Sequence, residues 1–131
     1  HNMIPTTSSS INATLQVMPH LDGKINGYSI RVPTINVACI DITVTFDRYV
    51  TLDELKKQLK TASQTSLKSI MAYNELPLVS SDFIGDTHSL VVDDEYIMQA
   101  GTAFKIMAWY DNEVGYANRL LDMCNKLNNC L

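Results

Sequence analysis

A strand that runs directly into a helix, near the end of the chain, limits the possible folds more than any other feature. Residues 102–110 have the apolar pattern of a strand, and residues 109–123 read W-Y-D-N-E-V-G-Y-A-N-R-L-L-D-M. Asp111 lies at the junction, where its carboxylate can accept hydrogen bonds from the first free N–H groups of the helix. The helix is predicted to reach Leu127, with apolar residues at helical spacing: Val114, Ala117, Leu120, Leu121, Cys124 and Leu127.

Asn112 is therefore held at a strand-to-helix corner. From such a corner a side chain can point into a cleft without unravelling the scaffold. Its amide offers both a donor and an acceptor, which suits recognition of another carboxamide.

Composition limits the class of protein. The chain has 131 residues, of which 46% are hydrophobic and 18% are charged, so it is expected to fold as one domain. The net charge of −4 gives no electrostatic reason to expect nucleic acid. No apolar run reaches the length of a membrane span, and the N-terminus lacks a signal-peptide pattern. We therefore expect no nucleic-acid or membrane partner.

The three cysteines, Cys39, Cys124 and Cys130, form neither a zinc pattern nor a C-x-x-C redox pattern. We interpret them as reduced thiols of a cytosolic protein. The alternative is a disulfide between Cys124 and Cys130, which we discount because residues six apart lie on different faces of a regular helix.

The N-terminal region begins at His1 without an initiator Met, and we expect that it was cut from a longer chain. The hydroxyl-rich residues 6–10 precede apolar residues at helical spacing, which is typical of a helix N-cap. Such a helix start is also a plausible anion site, since it presents free N–H groups, but capping alone is the simpler interpretation. Pro19 is predicted to end the helix.

A long strand is predicted over residues 28–46, interrupted by Pro33. Beyond Pro33 the residues alternate between two faces. The face that carries Ala38, Ile40, Ile42, Val44 and Phe46 is expected to be covered by helices. The second face is mixed, as expected of one that meets water or another subunit: Val37, Cys39, Asp41, Thr43 and Thr45.

The remaining elements indicate an α+β fold. Thr51 and Glu54 predict a capping box for a second helix, with Val50 and Leu55 as a hydrophobic staple. Strands are predicted over residues 69–73, 76–80, 89–92 and 102–110. Strands at such short intervals favour a mainly antiparallel or mixed sheet with helices on one face.

The residues alone provide no catalytic centre. Asp82, Asp86 and His88 can in principle gather a metal, but the same residues suit turns and caps, so no metal site is assigned. The chain has no Gly-rich dinucleotide fingerprint. Arg31 lies in a strand that is predicted to be buried, so it needs an anionic partner. That partner is either internal or a phosphate bound by the planar guanidinium.

The 109–119 stretch closely resembles the W-Y-D-N-E-W-G-Y-S-N-R signature of glyceraldehyde-3-phosphate dehydrogenases. Two of eleven letters differ, since Val114 replaces a Trp and Ala117 replaces a Ser. The resemblance extends to N-M-I-P at residues 2–5, R-V-P-T at residues 31–34 and D-T-H-S at residues 86–89. It implies the C-terminal part of that family's catalytic domain. The pieces at residues 31–41 and 73–80 look more like the related erythrose-4-phosphate dehydrogenases, whereas Tyr110 and Tyr116 favour the glyceraldehyde branch.

The resemblance also implies a reaction and residues that serve it. Family members attack an aldehyde with a Cys thiolate, pass hydride to NAD and release the acyl group to phosphate or water. Arg31 matches the arginine that holds the substrate phosphate. Ser8 and Ser9 stand where the family usually has Thr-Gly at an anion site, so the hydroxyl is kept and the Gly is not. Asn112 matches the residue that binds the nicotinamide carboxamide, and Tyr116 lies beside it.

The family's nucleotide domain, its S-C-x-x-N-C nucleophile motif and its general-base His correspond to sequence upstream of residue 1. We therefore expect a fragment, inactive by itself, whose intact parent is a cytoplasmic, homo-oligomeric enzyme of glycolysis. The alternative is a non-enzymatic assembly module that kept the fold. The isolated chain is predicted to self-associate through the second sheet face, around Val37, and through the last helix, around Leu121.

Overall fold

The computed structural model describes residues 1–129 and divides the chain after Ile35 into two compact units. This division does not test the prediction of a single domain, which stays a prediction. Cys130, and with it the alternative disulfide to Cys124, lies outside the described residues. No helix in residues 1–129 is long and apolar enough to cross a membrane.

The first unit is a two-stranded sheet with one helix. Strand β1 (Ile4–Thr6) pairs antiparallel with β2 (Ser29–Arg31), and helix α1 (Ser10–Val17) lies between them in sequence. The N-cap position of α1 is Ser9, but its side chain makes no capping bond. The hydroxyl oxygen of Ser8 instead accepts a hydrogen bond from the Ser10 N–H at 3.2 Å. Pro19 begins a short 3₁₀ turn, so the helix ends where proline predicts.

The single strand predicted over residues 28–46 is two strands. Strand β2 ends at Arg31 in the first unit, and β3 (Ala38–Thr45) belongs to the second. Pro33 supplies no N–H for a sheet ladder, and Val37 adopts a φ of 69°, which a β-branched residue rarely takes. The chain therefore leaves the extended conformation between these two residues.

The second unit contains a four-stranded mixed sheet in the order β3-β6-β5-β4. Strand β4 (Met71–Asn74) pairs parallel with β5 (Leu90–Ala100), and β5 forms an antiparallel hairpin with β6 (Ala103–Tyr110). Gly101, at a φ of 60°, makes the tight turn of this hairpin. Strand β3 pairs antiparallel with β6, from Ala38 opposite Tyr110 to Thr45 opposite Ala103. The α+β class with a mixed sheet is confirmed.

Helix α2 (Leu52–Gln64) covers one face of this sheet. Thr51 caps it as predicted, because its hydroxyl accepts a 3.1 Å hydrogen bond from the Glu54 N–H. The other half of the predicted capping box is absent, since the Glu54 carboxylate pairs with Arg48 at 2.8 Å instead. The predicted staple residues are both in the main core, whose buried members are Val50, Leu55, Met71, Val92, Ile97, Phe104 and Ala108.

The two faces of β3 only partly follow the prediction. Val44 packs against the main core, whereas Ile40 and Ile42 remain 40% and 39% exposed because β3 is an edge strand. Val37, which we placed on the second face, is 6% exposed and packs with Phe83 in a smaller cluster. Its placement on an open sheet face is therefore wrong.

Two other strand predictions need correction. Residues 76–80 form no strand, because the Asn74 side chain bonds both the Leu76 N–H and its carbonyl, and Pro77 has no N–H. Strand β5 runs eight residues beyond the predicted end at Val92, past a register shift between Val92 and Ile97. After β6 the chain passes into helix α3 (Val114–Asn128), as the 109–123 stretch predicts.

Candidate functional site

The corner between β6 and α3 is organised by the carboxylate of Asp111, which is 1% exposed. Its Oδ1 accepts hydrogen bonds from the N–H groups of Glu113 and Val114, both at 3.0 Å. Its Oδ2 accepts from the N–H of Gly85 at 2.9 Å and from the side-chain amide of Asn36 at 3.0 Å. The predicted capping role of Asp111 is confirmed, and two further partners come from distant parts of the chain.

These four donors also set the charge of the corner. Hydrogen bonds from the Gly85 and Val114 N–H groups are the largest causes that lower the pKa of Asp111, against the opposing effect of burial. A carboxylate with this many donors stays ionised and fixed in place. Asp111 therefore serves the structure of the corner and is not free to bind a ligand.

Asn112 lies between Asp111 and the two residues whose N–H groups the Asp111 carboxylate binds. The backbone N–H groups of Glu113 and Val114 are both bonded to the preceding carboxylate, whereas the side chain of Asn112 is exposed. Its amide makes no hydrogen bond within residues 1–129. Tyr116, in the first turn of α3, is 66% exposed. The structure thus presents an amide and an aromatic ring close together in sequence on a fixed backbone.

The first turns of α3 rest on the segment before β5. A Cβ atom on Gly115 would lie 2.7 Å from the backbone carbonyl oxygen of His88, so only glycine fits here. One turn later, the Arg119 guanidinium donates to the Ser89 hydroxyl at 3.0 Å and to Asp122 at 2.7 Å. These contacts fix the direction in which the helix leaves the corner.

The strand side of the corner is held by Trp109. Its ring stacks on Phe83 at a centroid separation of 5.5 Å and an interplanar angle of 15°. Its indole N–H donates to the buried carboxylate of Asp93 at 2.9 Å. An aromatic ring fixed by both stacking and a hydrogen bond leaves little freedom for the residues that follow it.

The first unit contains the residues matched to the anion site. Ser8 lines an open pocket of about 520 Å³ beside the start of α1, whose other walls are formed by Pro5, Thr6, Thr7, Ile11, Asn12, Asn26, Gly27 and Tyr28. Neither Ser9 nor Arg31 lines it. Arg31 pairs with Ile4 at one end of the β1–β2 ladder, whereas Thr6, which leads to Ser8, pairs at the other end. The structure therefore does not bring Arg31 and Ser8 together in one pocket.

Arg31 itself is exposed, contrary to the prediction that its strand is buried. Strand β2 lies in a sheet of only two strands, which leaves its side chains open to solvent. Within its own unit, the Arg31 guanidinium forms no ion pair with a carboxylate. The internal partner that we considered is thus not found among the described residues of that unit.

The residues weighed as metal ligands have other partners. Asp82 accepts a hydrogen bond from the Val79 N–H at 2.8 Å. Asp86 Oδ1 accepts from the His88 N–H at 2.8 Å and lies 2.7 Å from His88 Nδ1. In the part of the chain that the structure describes, no three such side chains gather as a metal site.

Three residues of the corner were missed from the sequence. Gly85 and Asn36 reach Asp111 across 26 and 75 positions, which no local pattern can reveal. Gly115 interrupts a helical pattern, and an isolated glycine at such a position often marks a close approach. That pattern was the only indication available for any of the three.

Comparison with known proteins gives the family. Residues 1–112 match the family described as "Glyceraldehyde 3-phosphate dehydrogenase, C-terminal domain". Over 123 residues, which are 93% of this chain, it is 44% identical to glyceraldehyde-3-phosphate dehydrogenase 1 of Candida glabrata. Over the same length it is 43% identical to glyceraldehyde-3-phosphate dehydrogenase 1 of Bacillus cereus and 42% identical to glyceraldehyde-3-phosphate dehydrogenase 3 of Saccharomyces cerevisiae.

The match covers much of this chain but less of its relatives. The chain spans 37% of the length of each of these three proteins. The family match extends from residue 1 to the corner at Asp111 and Asn112. The chain therefore belongs to the family of glyceraldehyde-3-phosphate dehydrogenase C-terminal domains.

Proposed function

We propose that this chain forms the C-terminal part of the catalytic domain of an NAD-dependent dehydrogenase that oxidises a phosphorylated aldehyde. The observation that carries this proposal is the corner at Asp111. Four hydrogen bonds to its carboxylate fix the backbone around Asn112 and leave the Asn112 amide exposed. Glyceraldehyde 3-phosphate is the proposed aldehyde, because the three relatives named above are glyceraldehyde-3-phosphate dehydrogenases.

The residues at the corner fit the nicotinamide end of NAD. The amide of Asn112 has a donor and an acceptor without partners among residues 1–129, and the nicotinamide carboxamide offers the complementary pair. Tyr116 presents an exposed ring four residues further on. Asn112 would hold and orient the carboxamide, and Tyr116 would contact the ring beside it. NAD, when bound, supplies the hydride acceptor.

The phosphate of the aldehyde is assigned to the first unit. Arg31 offers an exposed guanidinium, which can bind two phosphate oxygens through parallel N–H donors. Ser8 and Ser9 lie at the start of α1, where N–H groups and the helix dipole favour an anion. Because Arg31 lies outside the pocket that Ser8 lines, we propose two anion contacts and not one shared cradle.

We further propose a cytoplasmic, homo-oligomeric enzyme of glycolysis. Cys39 and Cys124, the two cysteines in residues 1–129, are free and exposed, as is usual in a reducing compartment. The exposed leucines of α3, Leu120, Leu121 and Leu127, leave apolar surface available for another domain or subunit.

A chimera tests this function. This chain replaces the matching segment of the Saccharomyces cerevisiae relative, and NADH formation is measured with glyceraldehyde 3-phosphate and with erythrose 4-phosphate. We expect turnover by the chimera and none by this chain alone, since loss of a nucleophile costs several orders of magnitude in rate. The variant Asn112→Ala should weaken NAD binding, and Asn125→Ala, at an exposed amide on α3, serves as its matched control.

The outcome separates the proposed enzyme from the assembly module. A folded, soluble chimera that reduces NAD with neither aldehyde contradicts the proposal and favours the non-enzymatic alternative. Faster turnover of erythrose 4-phosphate would keep the reaction class and change the substrate.

A further inference from the structure

Five consecutive residues, Gly85 to Ser89, support the corner and its helix; we call them the 85–89 turn. At one end, the Gly85 N–H donates to Asp111 Oδ2 at 2.9 Å. At the other end, the Ser89 hydroxyl accepts from Arg119 at 3.0 Å. Between them, the carbonyl oxygen of His88 lies 2.7 Å from the position of a Cβ atom on Gly115. The turn therefore contacts the corner and the first two turns of α3.

The shape of the 85–89 turn depends on Asp86. Its Oδ1 accepts a hydrogen bond from the His88 N–H at 2.8 Å and lies 2.7 Å from His88 Nδ1. Its own N–H donates to the Phe83 carbonyl at 3.1 Å. One carboxylate thus holds both the peptide and the ring of His88. Within residues 1–129 the side chain of Asp86 bonds only His88, so the effect of its carboxylate on the corner passes through His88.

The contact between His88 and Gly115 leaves no space for adjustment. Gly115 is buried, and a backbone carbonyl cannot rotate away as a flexible side chain can. Closely packed elements transmit small displacements instead of absorbing them. A shift of His88 toward Gly115 would therefore move the start of α3, to which Asn112 is attached through Glu113 and Val114.

We propose that Asp86 is a positioning residue: it orients the Asn112 amide toward the nicotinamide carboxamide by holding the His88 carbonyl against Gly115. This inference rests on the proposed function for the identity of the ligand. A displacement of a substrate-positioning group by about 1 Å, caused by a mutation far from the reacting atoms, can lower the rate up to a hundredfold. We expect a smaller effect here, a roughly tenfold increase in the KM for NAD, because Asp111 still caps the helix.

The first test measures kinetics in the chimera. Asp86→Ala should raise the KM for NAD, and the KM for the aldehyde should change less than twofold. Asp86→Asn keeps an oxygen acceptor for the His88 N–H and should restore the KM for NAD. Asp82→Ala is the matched control, because Asp82 also caps a loop N–H, that of Val79, at 2.8 Å, and has no bond to the corner. A purely structural role would lower the fraction of active enzyme and leave both KM values unchanged, which would overturn the proposal.

The second test is independent of activity. In the ¹⁵N-labelled chain, the Asn112 side-chain amide resonances, assigned from Asn112→Ala, should move in Asp86→Ala and stay in Asp82→Ala. Asp86→Glu keeps the negative charge but displaces the carboxylate oxygen that accepts from the His88 N–H, so it should also shift the Asn112 resonances. If Asp86→Ala does not fold, Asp86→Glu provides the test. Unchanged Asn112 resonances in the folded Asp86 variants overturn the positioning role. Shifted resonances together with an inactive wild-type chimera uphold that role and contradict the proposed function instead.

Discussion

The side-chain amide of Asn36 donates a 3.0 Å hydrogen bond to the carboxylate of Asp111, which lies 75 residues further along the chain. The same carboxylate binds Gly85, from the loop before β5, and the first N–H groups of α3. One buried charge thus joins the segment before β3, the loop before β5 and the start of α3. This arrangement explains why the neighbouring Asn112 can remain exposed without loosening the backbone that carries it.

The variant Asp111→Asn should be markedly destabilised. An amide has one oxygen, so its NH₂ group would face two of the four donors that now surround the carboxylate. Buried donors left without acceptors are costly. Urea unfolding at pH 7, followed by the fluorescence of Trp109, measures the loss. Asp47→Asn, at an exposed carboxylate of the same unit, should change the midpoint little.

The stability of the wild type should also fall in acid through Asp111. The folded state lowers the pKa of Asp111, chiefly through the Gly85 N–H, so the unfolded state binds the proton more readily. The contribution is complete above the ordinary Asp pKa of about 3.9 and is lost as the pH falls through the lower folded value. Midpoints of urea unfolding should be measured from pH 2 to 7 for the wild type and for Asp111→Asn. As the pH falls below 4, the midpoint of the variant should fall less steeply than that of the wild type. Parallel curves for the two proteins would exclude Asp111 as the cause.

The variant Gly115→Ala should be destabilised, although replacing glycine by alanine within a helix ordinarily stabilises by about 1 kcal/mol. The new Cβ would lie 2.7 Å from the His88 carbonyl oxygen, and such overpacking costs about 1–3 kcal/mol. Ala117→Gly, at an exposed position two residues later, is the reverse substitution and should destabilise by propensity alone. If Gly115→Ala stabilises while Ala117→Gly destabilises, the close approach of His88 is not present in solution.

The elements that the sequence predicted well are those whose cause is local. Thr51 caps α2 and Asp111 caps α3 through residues no more than three positions away. The predicted strand over residues 76–80 failed because the Asn74 side chain occupies the peptide groups of Leu76. Strand β5 was predicted too short because charged residues follow Val92. The carboxylate of Asp93 is buried there by its bond to Trp109, which lies 16 positions away.

The residues of the candidate site also divide into those with a local sequence pattern, which were predicted, and those held by distant contacts, which were not. Asn112 and Tyr116 were found because they belong to a continuous stretch with a strand-to-helix pattern. The residues of the 85–89 turn were interpreted as turn and cap residues, with a metal site as the alternative. Their contact with Gly115 was missed because it joins residues far apart in sequence. Arg31 was predicted in a buried strand because apolar Ile30 and Val32 flank it, but a two-stranded sheet leaves all three exposed.

Tyr73 should stabilise the folded protein at neutral pH, and this stabilisation should be lost at alkaline pH. Its hydroxyl donates to the Asp94 carboxylate, which also binds Lys56 at 2.7 Å. Burial, followed by the bond to Asp94, raises the pKa of Tyr73 well above its usual value. Its contribution is therefore complete below the unfolded pKa of about 10 and is lost as the pH rises beyond it. For one proton the limiting slope is about 1.4 kcal/mol per pH unit.

The comparison is between wild type and Tyr73→Phe, which keeps the ring and removes the titrating group. At pH 8 the variant should be less stable by on the order of 1 kcal/mol, and the gap should narrow between pH 10 and 11. Tyr49→Phe, at an exposed tyrosine, should follow the wild type throughout. A gap between wild type and Tyr73→Phe that stays constant to pH 11 would contradict the raised pKa of Tyr73.

Arg31→Ala should raise the KM of the chimera for the phosphorylated aldehyde and spare the KM for NAD. A lost bidentate contact to phosphate costs on the order of 2 kcal/mol, or roughly thirtyfold in KM. Arg48→Ala is the matched control, because Arg48 is also exposed but pairs with Glu54 at 2.8 Å. Kinetics of Arg31→Ala that equal those of Arg48→Ala would remove Arg31 from the substrate site.

The isolated chain should self-associate through α3, most simply with two-fold symmetry. Leu121 and Leu127 are 61% and 63% exposed, and Leu120 and Met123 extend the same apolar surface. Light scattering over a range of concentrations measures the association, and Leu121→Glu should reduce it. Gln58→Glu introduces the same charge on an exposed position of α2 and serves as the control.

Val37→Asp is unsuitable as a second probe of self-association, since Val37 is buried beside Phe83 and its loss would disrupt the smaller cluster. A wild-type chain that remains monomeric at high concentration would show that α3 does not bind a second copy.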